Sequence, residues 1–135
     1  MIEPTPTRIF EDVSVDLFSY EGSHYLVYAD RLSGWPTVDR WKNKDPTSDV
    51  TRAIRRNFMD LGVPLRLRSD GGPQFASSAF EAFIQQWGVE QVFSSPHYPQ
   101  ANGHAEAAVK AMKYLIQKAS PSGDLETDSF AAGKL

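Results

Sequence analysis

The chain has 135 residues, 41% of them hydrophobic, a formal net charge of −3 and no cysteine. That length suits one domain with a real core, and the composition excludes a disulfide framework or a cysteine-based zinc site. The charge is unevenly spread: residues 1–39 carry two basic and seven acidic side chains, residues 40–68 eight basic and three acidic, and residues 69–135 sum to −3. A basic middle segment can meet a phosphate backbone while acidic parts bind cations, although a mixed solvated surface has the same pattern.

Residues 1–10, with Pro4 and Pro6, read as an extended lead-in without the basic and apolar regions of a signal peptide. No apolar run approaches the ~20 residues of a membrane span. Residues 11–19 and 23–30 read as strands joined at Tyr20-Glu21-Gly22-Ser23, a hairpin signal. In the first, Val13, Val15 and Leu17 point one way and Ser14, Asp16 and Phe18 the other. Ser33-Gly34-Trp35-Pro36 is a turn, and Thr37 to Trp41 a third strand, which predicts an antiparallel meander.

The pattern changes at Asp45-Pro46, a favoured N-cap and first helical residue. Val50, Ala53, Ile54, Phe58 and Leu61 then recur at helical spacing over 46–61, with Arg52, Arg55 and Arg56 outside and Gly62 as the stop. A strand over 63–68 ends at Asp70. Ser78-Ala79-Phe80-Glu81 fits a capping box, with Phe80, Phe83, Ile84 and Trp87 as the inner face of its helix and Gly88 as the stop. Residues 89–93 form the last strand. A proline-rich loop, 94–102, leads to a helix over 103–119, striped with Ala105, Val109, Met112 and Ile116. Glu106, Lys110, Lys113 and Gln117 form a second stripe on it. The order predicts an α/β fold: a five-stranded mixed sheet, with strands 1–3 antiparallel and the later ones in parallel βαβ units, flanked by helices.

Three carboxylates on separate elements draw attention. Asp16 lies in an apolar strand, where Asp is depleted, unless it is an edge residue facing water. Asp70 precedes Gly71-Gly72, where a turn-forming Asp is also expected. Glu106 falls in the first turn of a helix, which favours any acidic residue. Carboxylates converging from three elements are what a divalent-cation site for phosphoryl transfer needs, because hard cations take oxygen ligands. His24, His97 and His104 lack a zinc spacing.

Exactly 35 residues separate Asp70 from Glu106. With Val15-Asp16-Leu17-Phe18, Ser33-Gly34-Trp35-Pro36, Ser69-Asp70-Gly71-Gly72-Pro73-Gln74-Phe75 and Ser95-Pro96-His97-Tyr98-Pro99-Gln100 through Asn102-Gly103-His104-Ala105-Glu106, this resembles the catalytic core of retroviral and LTR-retrotransposon integrases, in wording closest to the gypsy type. The resemblance covers about residues 8–120 and implies a ribonuclease H-like fold. It implies that Asp16, Asp70 and Glu106 are catalytic and bind two Mg²⁺ or Mn²⁺ ions. It further implies that Lys110, Lys113, Gln100 and Asn102 contact DNA, that element ends and target DNA are the partners, and that the core forms a homodimer in the nucleus. Residues 94–102 match the family's active-site loop. Integrases also have a zinc-binding N-terminal module and a C-terminal DNA-binding module. Neither is present here, so the expectation is a core over 11–119, followed over 120–135 by a linker and the cut-short start of the family's next helix. A truncated retrotransposon enzyme is the first reading. The second is a domesticated, non-catalytic nucleic-acid- or protein-binding module of the same fold, using the arginines of the basic segment.

Overall fold

The computed structural model describes residues 7–42, 46–94 and 103–119, with the side chains of 46–47 and 103–106 outside that description. The strands are β1 (Asp12–Tyr20), β2 (Ser23–Asp30), β3 (Pro36–Trp41), β4 (Arg66–Ser69) and β5 (Glu90–Phe93). The helices are α1 (Pro46–Leu61), α2 (Pro73–Ala76), α3 (Ser78–Gln86) and α4 (Gly103–Ala119). The strands form one sheet in the order β3-β2-β1-β4-β5. β1, β2 and β3 pair antiparallel, and β4 pairs parallel with both β1 and β5. This is the mixed, helix-flanked sheet that the sequence predicts.

Alternation along the strands sorts the side chains into two layers. Val13, Val15, Leu26, Tyr28 and Leu67 join Val50, Ile54 and Phe58 of α1 and Phe80 and Ile84 of α3 in the main core. Phe58 stands at its centre, 5.9 Å from the Phe83 ring, 5.5 Å from Trp87 and 6.4 Å from Tyr28. On the opposite face, Tyr25 and Ile116 are fully buried with Phe18, Tyr20 and Val38 packed around them, so α4 covers the side of the sheet that carries Asp16. Phe18 stacks on Tyr25 at 5.2 Å.

Turns follow local chemistry. Glu21 (φ 52) and Gly22 (φ 79) make the tight β1–β2 turn with both central residues at positive φ, the hairpin geometry that matches strand twist. Gly62 ends α1 at φ 95, with its amide donating to the Phe58 carbonyl at 2.9 Å. The capping residue of α3 is Ser77 rather than Ser78: its hydroxyl accepts from the Phe80 amide at 3.1 Å. α2 is an extra turn of four residues, too short to show a period. β4 starts at Arg66 rather than Val63, because its pairing partner β1 begins at Asp12. The expected Asp45 cap lies outside the described residues.

Polar clusters lock the strand ends. Asp12 is fully buried, with Arg66 Nε at 3.1 Å, Arg31 Nε at 3.4 Å and Arg68 Nε at 3.5 Å from its carboxylate. The Arg31 amide also donates to the Asp12 carbonyl at 2.9 Å. Glu11 Oε1 accepts from the Thr7 amide and hydroxyl and the Arg8 amide, which holds its carboxyl below the usual carboxylate range. Buried Asp30 accepts from the Phe10 amide at 2.6 Å and from the Ser33 amide and hydroxyl at 2.8 and 2.7 Å. On the other side, Asn57 of α1 donates to Asp39 at 3.0 Å and accepts from Thr37 at 2.8 Å, tying the helix to β3. β3 and β5 are the sheet's edges: β3 opens with Pro36 and carries Asp39 and Arg40, and β5 has four residues.

Removing one partner of a buried ion cluster leaves uncompensated charge. Asp12→Ala should therefore lower unfolding free energy by about 3–5 kcal/mol in urea titration. Asp60→Ala, on the exposed face of α1, should change it by less than about 0.5 kcal/mol.

Candidate active site

The parallel β1–β4 ladder sets the site. Its register pairs Asp12 with Arg66, Val13 with Leu67 and Ser14 with Arg68. Carried two residues further along both chains, the same offset brings Asp16 level with Asp70. β5 continues the row, with Ser69 paired to Phe93 and the Ser94 amide donating to the Ser69 carbonyl at 2.6 Å. The three strand ends open into a cleft of about 270 Å³. It is lined by Asp16, Asp70 and Ser94 from the sheet and by Val109, Lys110 and Lys113 from α4.

The two aspartates sit in different environments. Asp16 is in mid-strand, opposite Val27 of β2, and only 22% of its side chain is exposed. Its Oδ2 lies 2.9 Å from Nζ of Lys113, which is also 5.2 Å from the centroid of the Phe18 ring. Phe18 is two residues beyond Asp16 on the same face, so the strand period places an aromatic platform beside the carboxylate. Asp70 is exposed, immediately after β4. Its Oδ1 accepts from the Gly72 amide at 2.9 Å, closing the local turn expected of Asp before Gly-Gly. The Ser69 hydroxyl donates to the Asp70 carbonyl at 2.9 Å.

Of the residues singled out from sequence, Asp16, Asp70, Lys110 and Lys113 thus line one cleft. Glu106 lies on α4, one turn before Lys110, with its side chain outside the described residues. Gln100, Asn102 and most of the 94–102 loop lie outside them too, as do His97 and the side chain of His104. His24 is bonded to the Ser19 hydroxyl at 2.9 Å. Among the described residues no group of three or more His, Cys, Asp or Glu could hold a metal ion. The donors that are described suit a hard cation all the same: they are carboxylate oxygens, and the Lys113 ammonium already rests on Asp16, where positive charge is favoured. Ser94, the first residue of the loop expected at the active site, does line the cleft, whereas sequence reasoning did not single out Phe18 as a neighbour of the site. The signal for Phe18 was the alternation about Asp16.

In the basic segment, Arg52 pairs with Asp49 at 2.8 Å and Arg56 with Asp39. Two of the three outer arginines of α1 are thus neutralised by their own fold.

The integrase core domain family matches residues 8–99, and the chain belongs to that family. It is 30% identical over 95 residues to the Pro-Pol polyprotein of simian foamy virus type 1, covering 70% of this chain and 8% of that protein. It is 34% identical over 89 residues to the retrovirus-related Pol polyprotein from transposon 297 of Drosophila melanogaster, covering 66% of this chain and 8% of that one. The chain thus spans only a small part of the length of these relatives. The fold is that of integrase cores and is ribonuclease H-like. The catalytic core domain of BIV integrase superposes with a TM-score of 0.72 at 19% identity, over 90% of this chain and 79% of that one. The HTLV-2 integrase catalytic core domain in complex with magnesium, in its dimeric form, gives 0.68 at 22% identity, over 91% and 82%.

Gly72 is the close neighbour of Asp70. A Cβ there would stand 3.0 Å from Asp70 Oδ1, yet the backbone, at φ −61, accepts any L residue. Gly72→Ala should therefore leave stability within about 0.5 kcal/mol while displacing the Asp70 carboxylate. NMR should show the change at Asp70 and at the residue 72 amide, with β1 signals unmoved.

Proposed function

We propose that this chain is the catalytic core of a DNA integrase, a metal-dependent polynucleotidyl transferase that processes DNA 3′ ends and joins them to a target strand. The observation that carries the reading is the cleft in which Asp16 and Asp70 from adjacent parallel strands face Lys110 and Lys113 of α4, the helix that also bears Glu106. Asp16, Asp70 and Glu106 offer the carboxylate oxygens for two Mg²⁺ or Mn²⁺ ions. When bound, these ions supply positive charge at the attacking and leaving oxygens of a phosphodiester. Lys110 and Lys113 hold the DNA phosphates along the cleft, and Gln100 and Asn102 contact the strand ahead of α4. Such a layout does little covalent chemistry of its own: it aligns a water or a 3′-hydroxyl with the scissile phosphorus and steadies developing charge.

The family match and the magnesium named for the HTLV-2 core support the metal dependence, and the dimeric form named for that core supports a second copy of the chain as partner. Element ends and target DNA are the proposed substrates, and the nucleus is the proposed compartment. Assayed as this core alone, residues 1–135 are expected to nick and reseal branched DNA. A binding module without chemistry fits less well, because Arg52 and Arg56 are already paired.

The direct test is Mg²⁺- or Mn²⁺-dependent cleavage and strand transfer on branched DNA. Asp16→Asn, Asp70→Asn and Glu106→Gln should each reduce the rate by about a hundredfold or more. Salt-dependent DNA binding with no turnover in any metal would overturn the catalytic reading in favour of a binding module.

Metal should also stabilise the folded chain by mass action, by about 2.7 kcal/mol at a concentration of 100 Kd. Differential scanning fluorimetry should show Tm rising with Mn²⁺, and rising less in Asp16→Asn and Asp70→Asn.

A further inference from the structure

The Asp16–Lys113 contact joins two groups that the proposed function uses for different ligands, a cation and a phosphate. We propose that Lys113 is a built-in counter-ion for Asp16, that a divalent cation displaces it, and that the released ammonium then takes a DNA phosphate. The inference rests on the metal-dependent reading above and deepens it by making metal and DNA binding exchange partners at one side chain.

Three observations carry it. Lys113 Nζ is 2.9 Å from Asp16 Oδ2, so the ammonium and a metal ion compete for one oxygen. The lysine side chain is 40% exposed, so its ammonium has solvent to leave into, while the Asp16 oxygen it covers is itself buried. The Phe18 ring, 5.2 Å from Nζ, keeps the aliphatic stem and its cation beside the cleft when the carboxylate is taken. A dication at Asp16 repels the ammonium at short range, and the nearest place with compensating negative charge is a phosphate seated in the same cleft.

The consequence runs in both directions. Without DNA, Lys113 weakens metal binding. With metal bound, Lys113 is free for phosphate, so metal raises affinity for DNA by more than its own charge requires, and DNA raises affinity for metal equally.

The test uses the full chain in isothermal titration with Mn²⁺, as wild type, Lys113→Met, Asp16→Asn and, as a control outside the cleft lining, Lys118→Met. Methionine retains the stem over Phe18 and removes only the charge. Lys113→Met should bind Mn²⁺ about fivefold more tightly than wild type, and Lys118→Met within about twofold. In fluorescence-anisotropy titrations with a duplex oligonucleotide, the Mn²⁺-dependent gain in affinity should be present in wild type and Lys118→Met and lost in Lys113→Met. Equal or weaker Mn²⁺ binding by Lys113→Met, in a protein whose wild-type binding is abolished by Asp16→Asn, overturns the counter-ion proposal alone. Absence of Mn²⁺ binding in both wild type and Lys113→Met overturns the metal-dependent reading with it.

Discussion

The carboxylate of Asp12 determines where everything else can go. It is taken fully out of water and held by three guanidinium groups, two of them from β4 and one from the end of β2. A buried ion cluster of this kind stabilises little relative to an apolar filling, but it tolerates only one arrangement. Here that arrangement is the offset between β1 and β4. A slip of one residue would turn every side chain of the moving strand to the opposite face. It would bury Asp16 among the aromatic residues of α1 and α3 and present Val15 to α4. The distance along the chain from Asp12 to Arg66 is the same as from Asp16 to Asp70, so the clamp at the strand starts is what aligns the aspartates at the strand ends.

The two aspartates divide the cleft into a fixed and an adjustable side. Asp16 is held by its pairing with Val27 of β2 and by the packing of the neighbouring Phe18 on Tyr25 beneath α4. Asp70 lies one residue beyond its strand, in a turn where the Gly72 amide clasps its carboxylate. In the proposed reaction such asymmetry would serve a phosphate that changes shape along its path, with Asp16 fixing the position and Asp70 following it. The helix opposite brings cations to the same space, so the cleft is balanced in charge although the protein is acidic overall.

Much of this was legible in the sequence because it depends on short-range rules. Alternation in β1 separated Val13 and Val15 from Asp16 and Phe18, the spacing of Val50, Ile54 and Phe58 defined the inner face of α1, and Gly62 and Gly88 marked the helix stops at positive φ. The grouping of Asp16 and Asp70 in one cleft followed from the order of elements once a parallel β4 was assumed. What escaped was long-range or very short. The Asp12 cluster joins residues more than fifty positions apart, and nothing local distinguishes Arg31, Arg66 and Arg68 from surface arginines. Asn57 reads as a polar break in the stripe of α1, yet it is buried against β3. Lys113 belonged to the right stripe, but its partner, Asp16, lies on a strand nearly a hundred residues earlier.

The edges of the sheet carry a further consequence. β3 opens with Pro36, which has no amide hydrogen to offer a neighbouring strand, and the charged Asp39 and Arg40 follow it. β5, at the other edge, is only four residues long and begins with the exposed Glu90. Neither edge is a good template for another strand, so the sheet resists growth into stacked, fibre-like assemblies. Another molecule of the same chain would therefore be met through helices and loops rather than by extending the sheet.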